Sequence, residues 1–191
     1  MITVVSGVPR SGTSLMMQMV AAGGMEILTD GLRGADERNP RGYFEWEPAK
    51  HLLQEPGRIA EAEGRAVKVI SSLLMSLPRD RSYQVLFMHR PLAEVVASQA
   101  EMIRRRGTQG AALTPAALEA ALEGHVRQVM AWLERQPHMR VCHVHYHRLL
   151  QEPQAETDSI LAFLDEPLNR AAMLAQIDPS LRRQRHESTA K

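Results

Sequence analysis

The first twenty residues restrict the fold more than any other part of the chain. The stretch "ITVVSGVPRSGTSLMMQMV", residues 2–20, runs from a short apolar strand through a glycine-rich turn into an amphipathic helix. Residues 2–5 are a strand-type run rich in β-branched side chains. Thr13 to about Ala22 places Leu15, Met16, Met19 and Val20 on one helical face. Between strand and helix, Gly7 and Gly12 have the spacing of a Walker A loop, G-x-x-x-x-G-K-[ST], and Ser14 holds its hydroxyl position. The Walker lysine is absent. Thr13 stands there, and a cation, Arg10, comes three residues earlier.

A strand, a glycine turn and a helix N-terminus form an anion site from backbone alone. The first helical N–H groups lack intrahelical partners, and the helix dipole adds partial positive charge. Gly7 and Gly12 let the chain curl round the anion. Ser11, Thr13 and Ser14 add hydroxyl donors, and Arg10 adds full charge in a bidentate fork. Magnesium-dependent nucleotide chemistry would also need an acidic residue at a strand tip. The apolar run "QVLFM" leads into His89-Arg90, "AVKVI" into Ser71-Ser72, and "RVCHVHY" into His147-Arg148. None ends in a carboxylate. Arg90 puts a cation where a metal-binding acid would stand, which suits a second phosphate bound without metal.

The rest of the chain alternates strand and helix, the mark of α/β architecture. Strands are expected at 2–5, 66–70, 84–88 and 140–146. Helices are expected from Pro91 to near Gly107, from Thr114-Pro115 to about Gln136, and over about 154–164 and 167–176. Residues 24–58 are rich in glycine, proline and charge but hold Tyr43, Phe44 and Trp46. They read as an ordered excursion over the C-terminal edge of the sheet, where open α/β folds bind ligands. At 191 residues the chain fits one domain, 1–191, with a polar tail over 179–191. The net charge of +1 gives no field for nucleic acid, and Arg104-Arg105-Arg106 reads as a solvated surface. The single cysteine, Cys142, allows no internal disulfide, and no run reaches a membrane span's length or a signal peptide's pattern. These features point to a soluble, cytoplasmic protein.

Two motifs together resemble a known family. "GVPRSGTSL" resembles the 5′-phosphosulfate loop of sulfotransferases that use 3′-phosphoadenosine 5′-phosphosulfate (PAPS), in the arginine form of the tyrosylprotein branch and many bacterial members. "FMHRPLAEVVASQ" is similar to the family's 3′-phosphate motif, a strand ending in arginine with a serine eight residues on, here Arg90 and Ser98. "VCHVHYHRLLQEP" resembles its late strand, with Tyr146 matching the tyrosine and His147 replacing the usual acid. "NPRGYFEWE" is also familiar from bacterial members. The resemblance implies a three-layer, P-loop-like α/β fold with a mainly parallel sheet of about four to five strands. It implies PAPS as donor, PAP as product and no metal. The family's glycine- and lysine-rich C-terminal motif is not visible, and Arg182, Arg183 and Arg185 stand as possible substitutes for it.

By the same resemblance, Arg10 is the catalytic cation, and Pro9, Arg10, Ser11, Gly12, Thr13 and Ser14 cradle the 5′-phosphate. Arg90 and Ser98 take the 3′-phosphate, and Tyr146 joins the nucleotide site. An acceptor hydroxyl needs a base, and the candidates are Glu45, Asp36, Glu37 and Glu47. Glu45 leads because Phe44 and Trp46 flank it and would desolvate it. Lys68, inside a buried strand, either reaches the sulfate or snorkels to the edge. His143, His145 and His147 alternate, so a strand through 146 would show all three on one face, though no fourth metal ligand is apparent. A small-molecule P-loop kinase and a catalytically inactive PAP-binding protein are the competing readings. The acceptor is a small-molecule, carbohydrate or peptide hydroxyl, and oligomeric state is not legible.

Overall fold

Strand β1 (Ile2–Gly7) is the centre of a parallel sheet and is buried along its whole length. Its partners are β3 (Ala66–Lys68) on one side and β4 (Tyr83–His89) on the other. The two-residue β2 (Ile27–Leu28) and β5 (Met139–His145) close the edges, giving the order β2-β3-β1-β4-β5 among the described residues. A strand flanked by parallel neighbours and covered on both faces is apolar throughout rather than alternating, as "ITVV" and "VLFM" are. The computed structural model describes residues 1–32, 34–35, 42–106 and 113–178.

Helices cover both faces, which makes the three layers expected from the sequence. Val5, Leu86, Met88 and Val144 face α1 (Thr13–Ala22), α4 (Tyr146–Gln151), α5 (Pro153–Leu164) and α6 (Arg170–Leu174). Ile2, Val4, Val67, Val85 and Phe87 face α3 (Pro115–Leu133) and three short 3-10 turns, at Glu47–His51, Pro56–Ala62 and Ser71–Ser76. Each fully buried aliphatic or aromatic side chain of these clusters contributes roughly 1.5–3 kcal/mol. Helix α2 (Leu92–Arg106) follows Pro91 and packs on α3. The start of α3 is set as its sequence suggests, with Pro115 in the first turn and Thr114 Oγ1 accepting from Ala117 N–H at 3.2 Å.

The structure revises several sequence boundaries. The strand expected over 66–70 stops at Lys68, and Val69 and Ile70 lead into the turn at Ser71. The strand expected over 140–146 ends at His145, and Tyr146 already belongs to α4. That helix and β2 were not foreseen. The excursion is anchored by Tyr43 and Trp46, 4% and 5% exposed, so these rings belong to the core. Among the described residues no helix is long and apolar enough to cross a membrane.

Candidate active site

The loop between β1 and α1 is a tight coil with little room for side chains. Gly7 has φ +144° and Gly12 has φ +105°. A Cβ on Gly7 would lie 2.5 Å from Ser11 Oγ and 2.7 Å from the Met88 carbonyl oxygen, and one on Gly12 would lie 2.7 Å from Tyr146 Cδ2. Arg10 itself sits at φ +77°, a left-handed conformation that costs a non-glycine residue roughly 1–2 kcal/mol. Ser11 N–H donates to the Val8 carbonyl at 3.1 Å and closes the turn. The helical ladder of α1 begins with Met16 N–H donating to Gly12 at 3.2 Å, so the N–H groups of Gly12 through Leu15 precede it. Ser11 Oγ is buried and has no hydrogen-bond partner among the described residues.

The second motif meets this loop directly. Arg90 Nη1 donates to the Arg10 carbonyl at 3.2 Å, and Arg10 Nε donates to Ser98 Oγ at 3.0 Å. Gln99 Nε2 adds a contact to the Pro9 carbonyl at 3.4 Å. The Arg90 guanidinium lies 4.6 Å over the Tyr146 ring, which also walls Gly12. Tyr146, the first residue of α4, therefore packs that helix against the loop. Glu94, one helical turn after Arg90, is 1% exposed and was not singled out from the sequence. It accepts from Arg90 Nε at 2.9 Å, and His147 Nε2 lies 3.0 Å from its other oxygen. Burial alone would push its carboxyl up, but the hydrogen bonds from His147 and Arg90 outweigh that and hold it below its ordinary value. The legible signal was an arginine and a glutamate four residues apart at a helix start.

Lys68 reaches the loop from β3. Its Nζ donates to Ser14 Oγ at 3.1 Å and to the Tyr43 carbonyl at 2.6 Å, joining the loop to the excursion. Glu45 lies on that excursion with its carboxylate 3.6 Å from Lys50 Nζ. Its backbone carbonyl accepts from Thr29 Oγ1 at 2.8 Å and from Asp30 N–H at 3.2 Å. Glu47 pairs with Lys50 at 2.6 Å. Asp36, Glu37, Arg182, Arg183 and Arg185 lie outside the described residues.

The three alternating histidines do not share a face. His147 falls on α4 and turns to Glu94, because the strand has already ended. His143 and His145 instead gather round His89 at the tip of β4. His89 Nε2 lies 2.9 Å from His143 Nδ1, and its ring stacks on His145 at 4.9 Å. Burial first, and then His143 and His145, push His89 down to about 4. Among the described residues no group of three or more His, Cys, Asp or Glu is arranged to hold a metal ion. Beside this cluster, Val8, Phe87, His89, Arg90, Leu92 and Val126 line a cavity of about 290 Å³.

Known proteins bear on this geometry at two levels. Residues 82–170, which run from β4 through α5 to the start of α6, match the family model described as "Sulfotransferase family". No curated protein sequence matches the chain at a significant level. Three solved structures share the fold. The sulfotransferase domain from the curacin biosynthetic pathway is 15% identical, with a TM-score of 0.51 over 93% of this chain and 77% of its own. Retinol dehydratase in complex with androsterone and the inactive cofactor PAP is 17% identical, with 0.53 over 91% and 62%. A sulfotransferase from Mycobacterium avium is 16% identical, with 0.56 over 92% and 66%. The chain thus spans between 62% and 77% of the length of these proteins. Residues 82–170 thus match the sulfotransferase family model, and nearly the whole chain shares its fold with these sulfotransferase structures.

Proposed function

We propose that the chain moves a sulfuryl group from PAPS to an acceptor hydroxyl by in-line displacement. The observation that carries this reading is the junction of its two anion motifs, Arg10 Nε on Ser98 Oγ at 3.0 Å and Arg90 Nη1 on the Arg10 carbonyl at 3.2 Å. One phosphate group at the loop and a second at Arg90 and Ser98 match a nucleotide carrying both 5′ and 3′ phosphates. The unpartnered, buried Ser11 hydroxyl and the collision-prone glycines fit a loop shaped to wrap an anion. The solved relative holding androsterone and PAP supports the same nucleotide and a small-molecule acceptor, with carbohydrate and peptide hydroxyls as further candidates.

When bound, PAPS supplies the activated sulfuryl group and leaves as PAP. Gly12 through Leu15 offer N–H donors to the 5′-phosphate side, with the hydroxyls of Ser11, Thr13 and Ser14. Arg10 is the cation that meets charge developing on the leaving phosphate. Its positive φ fits a residue held in a strained conformation for a task. Arg90 keeps further N–H donors beyond its contacts to Glu94 and Arg10, and Ser98 Oγ keeps its own proton to donate, so both retain capacity for a 3′-phosphate. Lys68 fixes Ser14 and remains a candidate for contact with the sulfate.

Calorimetric titration with PAP, ADP and magnesium-ATP tests the reading, together with mass spectrometry of PAPS reactions over an acceptor panel. PAP is expected to bind at least about tenfold more tightly than ADP, a difference of roughly 1.4 kcal/mol, without magnesium. Magnesium-dependent ATP hydrolysis would instead favour a kinase. Tight PAP binding with no sulfated product would favour an inactive binding protein.

A further inference from the structure

Sulfuryl transfer to a hydroxyl releases a proton, and several groups around the loop are poorly placed to take it. Glu94 is shared between Arg90 and His147, and Glu45 lies against Lys50. Burial would raise the Glu94 carboxyl, but the hydrogen bonds from His147 and Arg90 hold it below its ordinary value and weaken it as a base. His89 is already pushed down to about 4.

A different imidazole stands at the same edge of the sheet. Ser71 is 1% exposed, and its Oγ lies 2.8 Å from His125 Nε2. Ser71 opens the turn that follows β3. Just before it, Val69 N–H still donates to the Val5 carbonyl at 3.1 Å, so Ser71 leaves the sheet beside the start of the anion loop. Helix α3 runs back along the sheet from this edge. Leu133 at its far end packs in the core with Tyr83 and Met139, where β4 and β5 begin. Val126, near its middle, lines the 290 Å³ cavity with Val8 of the loop and with Arg90. His125 precedes Val126 in α3, and its ring nitrogen meets Ser71.

A buried hydroxyl held against one ring nitrogen fixes the ring's orientation. In the tautomer whose Nε2–H donates to Ser71 Oγ, Nδ1 carries the lone pair. We propose that His125 is the catalytic base of this site, oriented by Ser71, and that the adjoining cavity seats the body of a compact, largely apolar acceptor. The proposal rests on the sulfotransferase reading above. In the step it describes, the acceptor oxygen forms a bond to sulfur, and the bond from sulfur to the bridging phosphate oxygen breaks. That bond's electron pair leaves with PAP, and the hydroxyl proton passes to His125 Nδ1. The charged or titratable groups along this edge are Glu123 and Arg127 on α3, His89 and Arg90 at the tip of β4, and Lys68 on β3.

The test compares wild type with His125→Gln, His125→Phe and Ser71→Ala. PAP affinity is measured by calorimetry, and release of PAP from PAPS is followed against pH with water and with 4-nitrophenol as acceptors. Both His125 variants should stay folded and bind PAP like wild type, yet release PAP about 100-fold more slowly and lose the acid limb of the pH profile. Ser71→Ala should slow release about tenfold while keeping that limb, because the base remains but is less well held. Wild-type rates in both His125 variants, or an acid limb that survives in them, would overturn His125 as the base. So would a wild type that binds PAP but leaves PAPS intact with both acceptors. A wild type that does not bind PAP would instead sink the sulfotransferase reading beneath the proposal.

Discussion

Arg10 and Ser98 lie 88 residues apart in the chain, and their side chains meet at 3.0 Å. This contact joins the loop after β1 to helix α2, so the two motifs meet in the fold. It also marks Arg10 as a residue kept for its side chain, since its backbone, at φ +77°, would suit glycine better.

That tension separates function from stability at one position. Arg10→Ala and Arg10→Gly both delete the guanidinium, and both should lower turnover by about 100-fold or more. They differ in backbone freedom. Glycine relieves about 1–2 kcal/mol of left-handed strain and gives back about 0.5–1 kcal/mol in chain entropy. Arg10→Gly should therefore be more stable than Arg10→Ala by about 0.5–1 kcal/mol, a melting difference of about 2 °C. Scanning calorimetry of the two variants beside a turnover assay checks both halves. Near-normal turnover in either would remove Arg10 from the mechanism.

Arg90 has two duties that mutation can divide. Its Nε partners Glu94, a carboxylate 1% exposed, and the donors left beyond its contact to the Arg10 carbonyl are the proposed 3′-phosphate ligands. Arg90→Met strands half of that carboxylate's pairing, leaving His147, and should cost about 3 kcal/mol in denaturant unfolding. Adding Glu94→Gln should recover much of that loss, because a neutral amide tolerates burial better. PAP binding should stay weak in both variants, by about tenfold or more, since a charged phosphate contact is gone. Recovery of PAP affinity in the double variant would mean that Arg90 only supports the fold.

The sequence was most informative where function is local in the chain. The β1 loop and the Arg90–Ser98 helix were legible as motifs because residue spacing along one strand–turn–helix unit fixes which groups come together at its turn. The partner of Arg90 was not, because Glu94 reads as an ordinary first-turn acid until its burial is known. The histidine face failed for a related reason. Alternation over "HVHYH" looks like a strand, but Tyr146 packs against Gly12 and starts α4 one residue early, which rotates His147 toward Glu94. The two-residue β2 has no pattern of its own and exists through its pairing with β3. The link between Ser71 and His125 spans 54 residues and depends on how α3 crosses the sheet, which periodicity does not encode.

The histidine cluster makes the protein acid-sensitive in a defined window. An unfolded imidazole takes its proton near 6.5, whereas His89 in the fold takes it only near 4. Between those values the unfolded chain binds more protons, so stability is fullest above 6.5 and declines as the pH falls to about 4. His143, also lowered by burial and by His145, adds to the same decline. Glu94 acts further down, its pairing being lost only as the pH falls through a folded value below the ordinary carboxylate range. His89→Gln should flatten the fall in melting temperature between pH 6.5 and 4 while leaving the steeper drop below it. Identical melting curves against pH in the two proteins would show that His89 does not carry the effect.

Lys68 ties the anion loop to the excursion, and its removal should be felt in both places. Its Nζ holds Ser14 Oγ at 3.1 Å and the carbonyl of the buried Tyr43 at 2.6 Å. Without it, that carbonyl keeps a longer contact from Ser14 Oγ at 3.5 Å. A weakened partner on a part-buried carbonyl costs about 1–3 kcal/mol, so Lys68→Met should lower unfolding stability by about that amount. Turnover should fall about tenfold or more, because Ser14 loses the donor that orients it. PAP affinity should fall less than turnover, since Arg90 and Ser98 are untouched. A variant with full turnover and reduced stability would make Lys68 a strut for residues 42–46 alone, whereas lost turnover at unchanged stability would place it in contact with the sulfate.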